Sequence, residues 1–329
     1  MRPPDAVSIL DSAYQVHRHE SLWLRSLRAS LESFLGVPGA LVALSYQRLG
    51  SANVIRCLDM SGAATSSPIH GLRESAQALP ALWAGAIAGR ASSLAPGLKP
   101  ARVARELGFD ARDLFGINAL DPTGYGILVA VPLGRRGGVD HVPPPSVWEH
   151  LAAHLSSAYR LQRAMSEASL EVEATLDPAG QVIDATGAAK GKEVRALLRD
   201  ACQAIDRARS GQRTGEAAIA RWTSLFGARW SLLDSFDRDG KRFVVAARNT
   251  MAEAGRGLSG REAQVVGLVA LGHSNKLISY ELGLAWSTVR VLVQRAARKL
   301  GVGTRAELEV KARELRGTTE PPLPIAVVK

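Results

Sequence analysis

The segment WSTVRVLVQRAARKLG, from Trp286 to Gly301, constrains the fold more than any other because its apolar and basic residues recur at helical spacing. At about 100° per residue, one stripe of such a helix carries only apolar side chains. They are Val289, Leu292, Val293, Ala296 and Leu300. The remaining arc carries Thr288, Arg290, Val291, Gln294, Arg295 and Arg298. This helix would pack on one side and present cations on the other, although a solvated basic face has the same pattern.

The positive charge of the chain is concentrated around this helix. The sequence has a formal net charge of +10 and a pI of about 10.0. Between Gly255 and Arg316 there are eleven Lys or Arg and five Glu, so six of the ten excess charges lie in this segment. A basic segment of this kind favours an acidic partner such as nucleic acid.

Capping signals divide the same segment into four helices. Ser259 with Glu262, and Thr304 with Glu307, have the spacing of a capping box, in which two side chains satisfy the amides of a first helical turn. Ser274 is the expected cap of a further helix, and glycines end the first three. These glycines are Gly272, Gly283 and Gly301. The second and third helices, joined by a short glycine turn, form a helix-turn-helix.

The stretch LSGREAQVVGLVALGHSNKLISYELGLAWSTVRVLVQRAARKLGVGTRAEL resembles the LuxR-type DNA-binding domain of bacterial transcription regulators. The residues that match are Leu258, Ser259, Arg261, Glu262, Val265, Gly272, Ser274, Asn275, Lys276, Ile278, Leu282, Thr288, Val289, Lys299, Leu300, Gly301, Val302 and Arg305. The resemblance implies an all-α domain of four helices over 258–316 that binds double-stranded DNA, with its third helix in the major groove.

The resemblance also implies roles for single residues. Lys276 would contact phosphate, and Thr288 would support the start of the recognition helix. Arg290 would lie near the DNA, as would Val289, although the helical wheel turns Val289 towards the core. Gln294 and Arg295 point outward and could read base edges, since Gln suits adenine and Arg suits guanine. The predicted DNA-binding residues are Lys276, Ser287, Thr288, Arg290, Val291, Gln294, Arg295 and Arg298.

Three residues depart from the family pattern. Leu277 stands where the family usually has Glu, Ala285 where it usually has a capping Ser, and Leu292 where it often has His. Loss of the cap costs about 1 kcal/mol, with Ser287 as an alternative cap two residues later. These departures leave open a second interpretation, a protein-interaction regulator that keeps the fold without specific operator binding.

The first 168 residues read as an α+β domain. After a helical stretch over 5–35, GALVALSYQRLG and NVIRCLDM predict one strand pair, and DLFGINALD and YGILVAVPL predict another. A helix is expected over 71–89, and a long helix follows from Ser146 to Ser169. This order of elements resembles a GAF domain, a sheet-based sensor of small molecules.

Residues 169–249 predict a smaller α+β domain that resembles the start of a PAS domain. EVEATLDPAGQVIDATG gives two strands around a turn, and ARWSLLDSF and RFVVAARN give two more, joined by an Asp-Gly turn. Helices are expected over 194–209 and 216–225. A linker is predicted over 250–257 and a disordered tail over 317–329, so the predicted fold class is α+β throughout the N-terminal region and all-α in the C-terminal domain.

The long helix after Pro145 carries a series of residues, all apolar except His154, at alternating steps of four and three, as in a coiled-coil seam. They are Val147, Leu151, His154, Ala158, Leu161, Met165 and Ala168. The seam predicts a homodimer interface, and packing of the helix on its own sheet is the equal alternative. His150 and His154 share one face at a spacing that metals use, but no third ligand is evident, so we predict no metal site.

The sequence predicts a cytoplasmic, homodimeric transcription regulator that is not an enzyme and has no cofactor. Cys57 and Cys202 form no metal spacing, and the apolar runs are shorter than the roughly 20 residues that span a membrane. The expected partners are double-stranded DNA and an unidentified small-molecule or protein signal. A second alternative, a catalytic N-terminal domain with a DNA-binding appendage, is disfavoured because the sequence shows no combination of nucleophile and base. A sigma factor is disfavoured because the N-terminal half is rich in predicted strands.

Overall fold

The structure, a computed structural model, describes residues 6–17, 19–49, 52–60, 79–83, 87–94, 99–133, 145–167, 169–210, 225–226, 230–236, 240–249 and 257–317. Within them the class is mixed α+β, as predicted: two antiparallel sheets precede a helical C-terminal module. The predicted linker and tail lie outside the described residues except for Gly257 and Gly317.

The first sheet has the strand order β2-β1-β5-β4-β3. Its strands are β1 Val42–Leu49, β2 Ala52–Met60, β3 Ala88–Arg90, β4 Asp113–Leu120 and β5 Tyr125–Leu133. The two predicted pairs are confirmed, because β1 pairs with β2 and β4 with β5, each antiparallel. Nearly every residue of β4 and β5 is buried, since both faces of the sheet are covered.

The helix predicted over 71–89 is wrong at its C-terminal end. Residues 79–82 are helical, but Ala88–Arg90 forms the edge strand β3, which pairs with β4. Gly89 has a φ of 157°, and three residues are too few to show a strand periodicity in the sequence. The rest of that prediction, over 71–78 and 84–86, lies outside the described residues.

One face of the first sheet is covered by long helices and the other by short ones. Helices α1 (Ala6–Tyr14), α2 (Glu20–Leu35) and α5 (Pro145–Ser166) pack on the first face. On the second face lie α3 (Ala91–Leu94) and α4 (Pro100–Glu106). Both helical predictions at 5–35 and 146–169 are therefore confirmed in type, the first as two helices.

Aromatic side chains of the chain itself fill the second face. Trp83 lies against Gly116, where an added Cβ would come within 2.3 Å of the indole, and Tyr46 lies against Gly126, where the distance would be 2.6 Å. The Tyr46 hydroxyl donates to Asn118 Oδ1 at 2.6 Å. Glycine at these two strand positions gives the rings the space that they occupy.

The coiled-coil seam predicted on α5 is wrong, and the alternative holds. Leu151, Ala158 and Leu161 are at most 2 % exposed in the single chain, because α5 packs against α1, α2 and the first sheet. Helical spacing of apolar residues is the same for both kinds of packing, so the pattern could not separate them. Ala168, the last seam position, lies outside the described residues.

The second sheet has the order β7-β6-β10-β9-β8, which repeats the neighbour relations of the first. Its strands are β6 Val172–Leu176, β7 Val182–Ala185, β8 Leu225–Phe226, β9 Trp230–Phe236 and β10 Arg242–Arg248. Helix α6 (Lys192–Ser210) confirms the helix predicted over 194–209. The other predicted helix, 216–225, lies outside the described residues except for Leu225, which belongs to β8.

The two sheet regions share one continuous apolar core, which includes α1, α2 and α5 together with buried residues of the second sheet. An ion-pair network joins them at the surface of that core. Arg209 of α6 binds Asp11 of α1 at 2.8 Å and Asp234 of β9 at 2.6 Å. The N-terminal helix α1 is thus held by both sheet regions.

The C-terminal module has four helices within 257–317, as predicted: α7 Gly260–Ala270, α8 Asn275–Leu282, α9 Trp286–Lys299 and α10 Arg305–Gly317. Ser259 and Glu262 form the predicted capping box, and Ser274 caps α8 by accepting from the Leu277 amide. Gly283 ends α8 in the left-handed conformation with a φ of 58°. The module has an apolar core of its own, centred on residues that include Val265, Val269, Ile278, Leu282, Val289, Ala296 and Leu308.

Candidate nucleic-acid interface

Helix α9 has the two-sided character that its sequence predicted. Val289 and Ala296 are completely buried in the core of the module, and Leu292, Val293 and Leu300 pack against that core. The opposite arc is exposed over the length of the helix, and it carries Ser287, Thr288, Arg290, Val291, Gln294, Arg295 and Arg298. The structure therefore brings seven of the eight predicted DNA-binding residues onto one open surface. Val289, which the family resemblance placed near the DNA and the helical wheel turned towards the core, faces inward.

Lys276, the eighth predicted residue, lies in the first turn of α8 and is also exposed. The turn at Gly283 and Leu284 brings α8 to the start of α9, so Lys276 belongs to the same helix-turn-helix as the basic arc. None of Lys276, Arg295 and Arg298 forms an ion pair with another residue in the described part of the chain. Their charges are available to an external anion.

The first turn of α9 is uncapped and open to solvent. Ala285 is the N-cap residue and provides no side-chain hydrogen bond, and Ser287, the predicted alternative cap, lies inside the helix. Ala285, Ser287 and the next residue, Thr288, are all exposed. A helix N-terminus with exposed amides attracts anions such as phosphate, so the missing cap leaves amides of α9 available at the edge of the basic arc.

Trp286 belongs to this surface and was not among the predicted residues. Its side chain is 52 % exposed at the first position of α9. The guanidinium carbon of Arg290 lies 5.0 Å from the centre of the ring, which is within cation–π range. The signal in the sequence is the spacing of four residues between an aromatic and a basic residue on one helix.

Lys299 is the basic residue of α9 that is paired within the module, although its side chain is 44 % exposed. Its Nζ donates to Glu262 Oε2 at 2.6 Å and to the Gly257 carbonyl at 3.1 Å. The hydrogen bond from Lys299, together with that from the Ser259 amide, lowers the pKa of Glu262 from its ordinary value of 4.5 to about 2. Lys299 therefore joins the end of α9 to the start of α7 and helps to fix the angle between these two helices.

Two arginines of α10 have similar internal roles. Arg305 donates to Asn275 Oδ1 at 2.6 Å and to the His273 carbonyl, which ties α10 to the start of α8. Arg313 Nε donates to the Ala270 carbonyl, the end of α7, at 3.3 Å. The positive charge of the module thus divides into residues that hold its helices together and residues that face outward.

The two other departures from the family pattern have a structural explanation. Leu292 packs on the core of the module as one of its partly buried apolar residues. Leu277 is only 3 % exposed, and it points away from that core towards α5 of the first sheet region. An apolar side chain suits both places.

His154, one of the two histidines that share a face of α5, has both ring nitrogens beside tyrosine hydroxyls. His154 Nε2 lies 2.6 Å from the hydroxyl of Tyr280, and its Nδ1 lies 3.0 Å from the hydroxyl of Tyr14. No group of three or more His, Cys, Asp or Glu that could hold a metal ion is found among the residues that the structure describes. Within the same residues, no helix combines the length and the apolar character needed to cross a bilayer.

Comparison with known protein families finds a match for the C-terminal module. Residues 256–312 match the family described as "Bacterial regulatory proteins, luxR family", so the predicted helix-turn-helix of this type is confirmed. No curated protein shows a significant match to the chain. Among solved structures, the chain is similar to SdiA of Escherichia coli at 11% identity and a TM-score of 0.24, over 90% of this chain and 92% of that chain. The family assignment therefore depends on residues 256–312.

Proposed function

From the LuxR-family domain at residues 256–312, we propose that this protein is a transcription regulator that binds double-stranded DNA through α9. The observation that carries the proposal is the open basic arc of α9, whose other side is fixed in the core of the module. A helix presented in this way fits the major groove, where side chains can reach base edges.

Within this surface the residues have different roles. Gln294 and Arg295 lie outward in the middle of α9 and read bases, whereas Lys276, at the start of α8, contacts phosphate. Base contacts determine sequence preference, and phosphate contacts determine position and overall affinity. The exposed pair of Trp286 and Arg290 extends the surface at the N-terminal end of α9.

The N-terminal region provides the input in this proposal. The two sheet regions have the same strand order and share a core, and their order of elements resembles that of GAF and PAS sensor domains. A small molecule or a protein is the signal, and it changes the arrangement of two protomers. A homodimer would present two recognition helices to two half-sites about one helical turn of DNA apart.

Selection of binding sites from random duplexes tests the proposal. We expect Arg295→Ala and Gln294→Ala to return motifs that differ from the wild-type motif at one or two positions, each such contact being worth about 1 to 3 kcal/mol. Lys276→Ala should return the wild-type motif with lower affinity. Arg102→Ala, which removes an exposed arginine of α4 outside the module, is the matched control and should change neither result.

If Arg295→Ala protein returned the wild-type motif, the assignment of the recognition residues would be wrong. If wild-type protein bound no duplex at low salt, the proposed function would be wrong as a whole. The interpretation as a protein-interaction regulator would then replace it.

A further inference from the structure

Helix α8 has a side that faces neither the core of the module nor the basic arc. Ile278 and Leu282 point into the core, whereas Leu277 and Glu281, one turn apart on another side, point towards α5. Leu277 and Glu281 are 3 % and 9 % exposed. Their burial comes from contact between the C-terminal module and the first sheet region, because α8 packs directly on α5.

The centre of this contact is Tyr280, between two histidines of α5. Its ring lies in a tilted contact with that of His150, with centroids 4.0 Å apart and an angle of 32° between the planes. Its hydroxyl bonds His154 Nε2, and His154 Nδ1 bonds Tyr14 of α1. Each ring nitrogen of His154 thus has a tyrosine hydroxyl as its hydrogen-bond partner. Burial raises the pKa of Tyr280 above its ordinary value, so it remains protonated.

The interface between α8 and the first sheet region extends beyond Tyr280 to Leu277. Leu277 lines a small cavity together with Leu120 of β4 and Ala152 and Ala153 of α5. The family pattern has Glu at the position of Leu277, and a carboxylate there would add a second buried acid beside Glu281, which already pairs with His273 at 3.3 Å. The apolar residue at this position fits docking on α5.

A third contact lies between α7 and the turn that joins β4 to β5. A Cβ added at Gly267, in the middle of α7, would lie 2.9 Å from Pro122 Cβ and 3.3 Å from its Cγ. Glycine within a helix costs about 1 kcal/mol relative to alanine. The close approach of Pro122 explains why this position of α7 carries no side chain.

The docked module leaves its proposed DNA surface open. Lys276, Gln294, Arg295 and the rest of the basic arc are exposed, whereas Leu277 is buried and Tyr280 is partly buried in the same chain. Contact with α5 and contact with DNA therefore use different sides of the module, even at the adjacent positions 276 and 277.

We propose that the surface formed by Gly267, Leu277 and Tyr280 is a docking site for α5 and the β4–β5 turn of the same chain, which together fix the orientation of the DNA-binding module without covering its basic arc. The inference builds on the proposed function. It assigns the N-terminal region control over the placement of two recognition helices relative to each other. It excludes control by occlusion of the DNA surface.

Two matched glycine variants of the full chain test the docking. Gly267→Ala places a methyl group against Pro122 while favouring the helix itself, whereas Gly260→Ala, in the first turn of the same helix, meets no atom within 4 Å. Backbone ¹⁵N relaxation reports whether the module tumbles with the whole chain or independently of it. We expect faster, independent tumbling of residues 258–316 in Gly267→Ala and wild-type tumbling in Gly260→Ala. Unchanged tumbling in Gly267→Ala, with Tyr280→Phe also unchanged, would overturn the docking.

DNA binding by the same variants tests the role of docking. On a single half-site taken from wild-type selection, Gly267→Ala and Tyr280→Phe should bind within about twofold of wild type. On paired half-sites of varied spacing, they should lose the preference for one spacing that the wild type shows. A gain of about tenfold or more on the half-site would instead show that docking occludes the module.

The two experiments separate the failure of docking from the failure of function. Tumbling is measured without DNA, so docking can be refuted or supported even if the wild type binds no duplex. Thermal unfolding of each variant checks that the module is folded. Tyr280→Phe, which removes only a hydroxyl group, keeps the test valid if Gly267→Ala unfolds α7.

Discussion

The salt dependence of DNA binding should distinguish outward from inward basic residues of the module. Binding that neutralises phosphates releases counterions, so the logarithm of the association constant falls with the logarithm of salt concentration with a slope of about −0.9 for each contact. Four basic residues of the proposed surface are exposed: Lys276, Arg290, Arg295 and Arg298. If all four met phosphates, one module would give a slope of about −3.6.

Lys276→Ala should reduce the magnitude of this slope by about 0.9, because it removes one phosphate contact. Lys299→Met is the informative comparison, since it removes the same charge from a residue whose Nζ lies 2.6 Å from Glu262. It should leave the slope unchanged and lower the melting temperature of the module, because Glu262 is left without its partner. Fluorescence anisotropy on a labelled duplex between 50 and 300 mM salt, about the range in which such contacts are resolved, measures both slopes.

Equal changes in slope for Lys276→Ala and Lys299→Met would refute the division of the basic residues into outward and inward sets. The slope would then report only the net charge of the module. A control at Arg102, which is exposed in α4 and paired with Glu106, shows how far charge outside the module affects binding.

Three further changes test the packing and the caps. Leu161→Asp should destabilise the fold by more than about 3 kcal/mol, because it places a carboxylate in the core beneath α5; a stable monomer in sedimentation would contradict this. Ala285→Ser should raise the stability of the module by about 1 kcal/mol in thermal unfolding by supplying the missing cap, and an unchanged midpoint would count against an uncapped α9. The lowered pKa of Glu262 means that its stabilising effect is complete above about pH 4.5 and is lost as the pH falls towards 2. The difference in melting temperature between wild type and Glu262→Gln should therefore shrink over that range, and a constant difference would contradict the ion pair.

The C-terminal module was predictable because its signals are local. The caps at Ser259 and Ser274 and the turn at Gly283 act within a few residues, and the apolar stripe of α9 falls within one helix. Short segments without a periodic pattern were harder to predict from the sequence. The sequence predicts helix where the three-residue strand β3 lies, since an edge strand of this length has no alternation to detect.

A periodic pattern does not predict which element packs on a buried helix face. Spacing on α5 predicted that one side is buried but not whether a second chain or the same chain covers it. The bond between His154 and Tyr280 joins residues 126 positions apart, and nothing local to either residue indicates it. The departure at Leu277 was visible in the sequence, but its cause required the position of α5.

The order of strands in the first sheet has a consequence for synthesis of the chain. Strand β1 has neighbours on both edges only after β5 has paired with it, and Val42 of β1 is paired with Ala130 of β5. At a translation rate of about 5 to 20 residues per second, β1 waits on the order of 5 to 20 s for the strand that covers its open edge. The second sheet repeats the delay, because β6 pairs with β10. Each nascent sheet therefore exposes an unpaired apolar edge to the ribosome surface and to chaperones before its last strand emerges.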